Sequence, residues 1–141
     1  MPVATVFRRD VVTVPPQLSL RQLVDDYVLR RGLRAFPVVE DGRLAGIVTI
    51  TDVRRVPSEE WDRYTVAQVM TRDPLWTVRP STPLLDALRL LAEQDVDQLL
   101  VVEDGSLAGV LTRSAVLRFL RLQTELGHRG RAAEEERRRA A

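Results

Sequence analysis

The sequence predicts an α/β fold of the α+β type, built from two β-α-β-β-α repeats that pack on each other. Three observations carry this. The stretch Val38-Val39-Glu40-Asp41-Gly42-Arg43-Leu44-Ala45-Gly46-Ile47-Val48-Thr49 returns as Val101-Val102-Glu103-Asp104-Gly105-Ser106-Leu107-Ala108-Gly109-Val110-Leu111-Thr112, at a constant offset of 63 (101 − 38), with nine of the twelve positions identical. A match of that length in a short chain marks an internal duplication. Each copy is an apolar run, an Asp-Gly pair and a second apolar run, which is a hairpin signature because Gly accepts the positive φ of the turn. Each hairpin also follows a β-branched run and a stripe of apolar residues at helical spacing.

Taken in order, Asp10 to Pro16 reads as the first strand, closed by prolines. Ser19 and Gln22 fit a capping box. Leu20, Leu23, Val24, Tyr27 and Val28 then form one helical stripe, and Gly32 stops it. Phe36 to Glu40 and Leu44 to Thr49 are the hairpin strands. Thr51-Asp52 opens a short helix that Pro57 ends. Ser58 to Tyr64 reads as a polar linker, and Thr65 to Met70 as a short turn of helix. In the second copy, Asp73 to Pro80 echoes the first strand. Thr82 is the expected N-cap, with Pro83 at the first helical position. Leu84, Leu85, Leu88 and Leu91 form the helical face; Gln98 to Val102 and Leu107 to Thr112 form the second hairpin. Val116, Leu117, Phe119 and Leu120 mark the buried side of a longer last helix. The expected organisation is repeat 1 over 6–57, a linker over 58–68, repeat 2 over 69–123 and a charged tail over 124–141.

Composition excludes several function classes. The 141 residues are 45% hydrophobic, enough for a core, but one repeat alone would bury little surface. There is no cysteine, hence no disulfide framework and no thiolate metal site. The one histidine, His128, lies in the polar tail, which argues against histidine metal sites and a Ser-His or Cys-His nucleophile. No apolar run approaches a membrane span, and the first residues do not open a signal peptide. The net charge of +1 argues against a polyelectrolyte binder. Every basic residue is arginine, which we ascribe to genome composition or high-temperature life. In the tail, Glu134 to Arg138 and Glu135 to Arg139 are i,i+4 pairs in the favourable order, as on a solvated helix.

The Thr49 to Asp52 corner has the most chemistry. A strand ends and a helix begins within a few residues, so unpaired N–H groups can receive an anion. Thr49 adds a hydroxyl, and Asp52 suits the hydroxyls of a sugar. The alternative is that Thr51 and Asp52 only cap the helix.

The two repeats, each with its Asp-Gly turn and a Gly-hydrophobic-hydrophobic-Thr end, resemble the tandem cystathionine-β-synthase (CBS) domain pair, or Bateman module. Gly46-Ile47-Val48-Thr49-Ile50-Thr51-Asp52 is the closest stretch. The resemblance implies two repeats packed through their small sheets as a pseudo-two-fold pair. It also implies a non-catalytic regulatory module that binds an adenosyl-type ligand (AMP, ADP, ATP, adenosine or S-adenosylmethionine) between the repeats and controls an attached or partner effector. The alternative is a dimerisation scaffold with degenerate clefts. No tightly bound cofactor is expected. Residues 27–37 and 52–57 further resemble the CBS pair of bacterial site-2-type intramembrane zinc metalloproteases.

In the family each cleft joins the Thr/Asp corner of one repeat to the first strands of the other. Carried over, cleft 1 holds Ile47, Thr49 and Asp52 facing Trp76, Thr77, Val96, Asp97 and Gln98. Cleft 2 holds Thr112 and Arg113 facing Val12, Thr13, Leu33, Arg34 and Ala35. Ala115 stands where a second ribose-binding Asp would be, while Arg113 and Arg34 suit a phosphate. Asp97 adds a second carboxylate to cleft 1, which opposes a phosphate there. Trp76 suits either purine stacking or strand packing. The resemblance implies a homodimer. The chain is expected to act in the cytoplasm, without binding nucleic acid or inserting into a membrane.

Overall fold

The computed structural model describes residues 1–140, with the backbone alone for 128–136 and 140. Two hairpins anchor it: β1 (Ala35–Glu40) with β2 (Arg43–Thr49), and β4 (Gln98–Glu103) with β5 (Ser106–Thr112). Both central turn residues are left-handed in each copy: Asp41 and Gly42 at φ 52° and 77°, Asp104 and Gly105 at 52° and 81°. This is the two-residue turn whose twist matches antiparallel strands. Each hairpin bulges at the same place: Val38 pairs with Gly46 and Val39 with Leu44, Val101 with Gly109 and Val102 with Leu107. Ala45 and Ala108 are thus the extra residues, which sharpen the local bend.

Helix α1 runs through Leu20–Gln22, a π-helical stretch Leu23–Val28, and Leu29–Arg31. Ser19 and Gln22 make the expected capping box, and Gly32 closes the helix at φ 66°. Its counterpart α4 (Leu84–Glu93) is regular. From N-cap to left-handed residue there are 13 steps in the first repeat (32 − 19) and 12 in the second (95 − 83). The π turn absorbs the extra residue without breaking the helix.

Several sequence expectations need correction. Asp10 to Pro16 is not a strand; only Val14 pairs, through one parallel bridge to Val38. Pro15 and Pro16 lack the N–H groups that would continue the ladder. The echo in the second copy is a two-residue strand, β3 (Thr77–Val78), parallel to β4. Thr82 is not the N-cap of α4: Pro83 holds that position, and the Thr82 hydroxyl accepts the Arg79 N–H at 2.9 Å. Leu85 and Leu117 are not buried; they are 60% and 48% exposed, and Ala87 fills the buried place on α4. The supposed polar linker folds onto repeat 1 through a 3₁₀ turn at Ser58–Glu60 and the helix α3 (Val66–Val69). The side chains of His128, Glu134 and Glu135, and so the two expected tail pairs, lie outside the described residues.

The five strands form one sheet in the order β1-β2-β5-β4-β3, joined at its centre by the antiparallel pair Arg43 and Ser106. The short helix α2 (Ile50–Arg54) follows β2, and α5 (Arg113–Ala140) follows β5.

The two cores do not follow chain order. Val3 and Phe7 pack with Val78, Leu84, Leu91 and Val116 of repeat 2. Val66 and Met70, which lie ahead of β3 and α4, pack with Leu20, Leu23, Phe36 and Val48 of repeat 1. Paired backbone hydrogen bonds fix each crossing: Arg8 with Val110 at 2.9 Å in both directions, and Thr71 with Ile47 at 2.8 and 3.0 Å. Glycine permits the close approach. A Cβ at Gly46 would lie 2.7 Å from the Thr71 carbonyl oxygen, and one at Gly109 would collide with the Arg8 carbonyl and the Phe7 ring.

Candidate ligand corners

The first corner is a reciprocal cap. Thr49, extended at φ −124° and ψ 166°, is the N-cap of α2, and Asp52 is its third helical residue. The Asp52 N–H donates to the Thr49 hydroxyl at 3.3 Å. Asp52 Oδ2 in turn accepts the Thr49 N–H at 3.0 Å and the Thr49 hydroxyl at 3.2 Å. The expected cap is met in part: Asp52 belongs to the reciprocal cap, but its partner and the N-cap residue is Thr49, and Thr51 is exposed. Asp52 is the one buried acidic residue among those described, at 5% exposure. Its other oxygen, Oδ1, makes no hydrogen bond among the described residues, and the Arg55 guanidinium stands 3.8 Å away. The corner therefore keeps one carboxylate oxygen for a hydroxyl donor, with its orientation fixed by the cap.

The second corner keeps half of this. The Thr112 hydroxyl accepts the Ala115 N–H at 3.1 Å and lies 3.3 Å from the Ser114 hydroxyl. Ala115 cannot return a bond to the Thr112 N–H. Arg113 does not serve this corner. Its Nη2 donates to the carbonyls of Leu91 at 2.8 Å and Val96 at 3.1 Å, tying α5 to the end of α4. Its Nε is buried without a partner, so the guanidinium is held by packing and by those carbonyls. The expected phosphate role for Arg113 is corrected accordingly.

The hydrogen bonds join each corner to the entry of its own hairpin. Thr49 is registered against Ala35, and the Ile50 N–H donates to the Arg34 carbonyl at 3.0 Å. Thr112 is registered against Gln98, and the Arg113 N–H donates to the Asp97 carbonyl at 2.8 Å. Leu33, Arg34 and Thr13 are exposed around the first entry, and Asp97 is exposed at the second. Val12 packs on the first core; Val96 and Trp76 pack on the second. The Trp76 carbonyl, just ahead of β3, accepts the Leu100 N–H of β4. Ile47 spends both backbone groups on Thr71. Thr77 instead lines a cavity of about 980 Å³ between the loop of residues 79–82, α4 and the second hairpin turn. That groove carries Arg79 and Arg89 against Asp86, Glu93, Glu103 and Asp104, and neither Thr corner lines it. The dual use of Arg113 and the crossed cores left no signal in the sequence.

Among the described residues, no group of three or more His, Asp or Glu side chains could hold a metal ion. No described helix is long and apolar enough to cross a membrane.

Comparison with known proteins assigns the class. The CBS domain family matches the chain twice, over residues 3–59 and 66–122. The chain therefore belongs to the CBS domain family, as a tandem pair. It is 38% identical over 105 residues to inosine-5'-monophosphate dehydrogenase of Bifidobacterium longum, covering 73% of this chain and 19% of that protein. It is 28% identical over 136 residues to zinc metalloprotease MJ0392 of Methanocaldococcus jannaschii, covering 88% and 37%. Among solved structures, that of CBSX2 in complex with AMP is 32% identical, with a TM-score of 0.72, covering 88% of this chain and 98% of that one. The chain spans only 19% to 37% of the length of the first curated relatives it matches.

Proposed function

We propose that this CBS pair is a non-catalytic regulatory module that binds an adenosyl-type ligand and passes the binding on to an effector. The observation that carries the reading is the Asp52 carboxylate: buried, oriented by Thr49, and left with one oxygen free of hydrogen bonds. A ribose hydroxyl is the donor that suits it. The AMP complex of a 32% identical relative supports the choice of ligand class. In this reading Ile47, Thr49 and Asp52 form cleft 1 with Trp76, Thr77, Val96, Asp97 and Gln98 of the other repeat. Thr112 forms cleft 2 with Val12, Thr13, Leu33, Arg34 and Ala35. The exposed carboxylate of Asp97 favours a ligand of low negative charge in cleft 1, adenosine or S-adenosylmethionine over ATP. The module acts as a homodimer in the cytoplasm, and its effector is attached or separate, a zinc metalloprotease being the example one relative suggests and an intramembrane one the example the sequence resemblance suggests. The ligand shifts that effector only by its differential affinity for two states of the pair.

Calorimetric titration with AMP, ATP, adenosine and S-adenosylmethionine tests this. Binding near one site per chain, lost in Asp52→Ala, is the expected result. A second reading, a scaffold with degenerate clefts, draws on Ala115 and on the structural commitment of Arg113. Absence of heat and of thermal stabilisation with all four ligands establishes that reading instead.

A further inference from the structure

The Asp52 side chain is only 6% exposed, yet one of its oxygens has work left to do. Oδ2 is taken by the Thr49 N–H and hydroxyl. A ligand hydroxyl is left with Oδ1 alone. Beside that oxygen stands the Arg55 guanidinium, with Nη1 at 3.8 Å. That distance makes an ion pair and is too long for a hydrogen bond. The cation therefore guards Oδ1 without saturating it.

The backbone explains how Arg55 comes to stand there. It follows Asp52 by three residues at the end of α2, a spacing that makes side chains neighbours on a helix. Its N–H donates to the Asp52 carbonyl at 3.3 Å, which fixes the stem. The rest of the side chain is 74% exposed and free to swing. Of the three ion pairs among the described residues, this one alone has a buried member. Repeat 2 offers the comparison. At the offset of 63, Arg118 is the counterpart of Arg55 and Ala115 that of Asp52. Arg118 is exposed and enters no ion pair among the described residues. Both repeats carry the arginine, and only the one with a carboxylate draws it in.

We infer that Arg55 controls access to cleft 1: its guanidinium covers Asp52 Oδ1 in the ligand-free chain, and a sugar hydroxyl must displace it to bind. The inference rests on the reading of Asp52 as the hydroxyl acceptor and adds what the ligand has to break. A carboxylate this enclosed has no second open side, because its other oxygen belongs to the cap. An uncharged nucleoside offers the released guanidinium no anion in return, so Arg55 weakens its binding by the full strength of the ion pair.

Adenosine is the probe because it is uncharged, so salt acts on its binding only through charges of the protein. Its affinity for the full chain and for Arg55→Gln is measured by calorimetry in about 0.01 M and about 1 M sodium chloride. These conditions take the screening length from about 30 Å to about 3 Å. In low salt Arg55→Gln should bind adenosine about twofold to fivefold more tightly, the range that an ion pair with an exposed partner allows. In high salt the gap should close, because the affinity of the unsubstituted chain rises. Should the variant fail a thermal unfolding check, that rise decides alone, and its absence overturns the inference. Equal affinities in low salt, weaker binding by Arg55→Gln, or a gap that persists in high salt also overturn it. In those cases adenosine still binds, so the ligand reading of Asp52 stands and only the role of Arg55 falls. No adenosine heat from either chain overturns the inference as well, and titration with AMP, ATP and S-adenosylmethionine then shows whether the ligand reading falls with it.

Discussion

The two corners of this CBS pair share a strand, a bulge and a threonine, yet they spend their polar groups differently. At the first, Thr49 and Asp52 cap each other and leave Asp52 Oδ1 without a hydrogen bond among the described residues. At the second, Thr112 caps alone, and Arg113 turns away to hold the end of α4. One carboxylate separates a reciprocal cap from a single one. The same contrast runs through the crossings beneath: the approach of Arg8 to Gly109 is closer than that of Thr71 to Gly46.

The largest effect should come from that closer crossing. Gly109→Ala places a methyl against the Arg8 carbonyl and the Phe7 ring and must displace the segment that brings Val3 and Phe7 into the second core. A loss of about 3 kcal/mol or more in denaturant unfolding is expected, the upper end for overpacking. Gly46→Ala, opposed by Thr71 and the flexible Met70 side chain, should lose less, about 1–2 kcal/mol. Equal losses at the two glycines would erase the contrast between the crossings.

Arg113→Ala leaves the Leu91 and Val96 carbonyls without their donor, for a cost of about 2 kcal/mol. Its affinity for adenosyl ligands, measured by calorimetry, should be unchanged. A drop in affinity for ATP but not for adenosine would return Arg113 to a phosphate-binding role.

Asp52→Ala removes the returning half of the first cap, at about 1 kcal/mol in thermal or denaturant unfolding. It should also abolish the ligand heat, so the binding effect exceeds what the stability loss explains. The smallest change sharpens the comparison from the other side. Ala115→Asp supplies the missing acceptor for the Thr112 N–H and should stabilise by about 0.5 kcal/mol. If a carboxylate is all the second corner lacks, titration of this variant will show additional ligand heat.

Much of the fold was legible in the residues. Asp41-Gly42 and Asp104-Gly105 specify the turns because both positions must take positive φ. Ser19 with Gln22 specified the start of α1 because their side chains satisfy local N–H groups. Thr49 and Asp52 were legible as one corner, although the sequence placed the cap on Thr51 and Asp52, because Thr49, Thr51 and Asp52 are all residue types that suit a helix start. The misplaced elements share a cause: Asp10 to Pro16 has strand composition but prolines where the ladder needs donors, and Leu85 and Leu117 have helical spacing but face away from the core.

The sequence by itself determined the duplication, the hairpins, the caps and the family, because each is written in residues close together along the chain. Tertiary structure alone decided that the segment before each repeat crosses to the other one. It also decided that Arg113 serves α4 and that Trp61 covers the first turn of α1. Those outcomes depend on which groups meet across 17 (113 − 96) to 102 (110 − 8) residues of chain, and on a glycine's missing Cβ acting as the space for another segment. Periodicity and local propensity carry no information about such contacts.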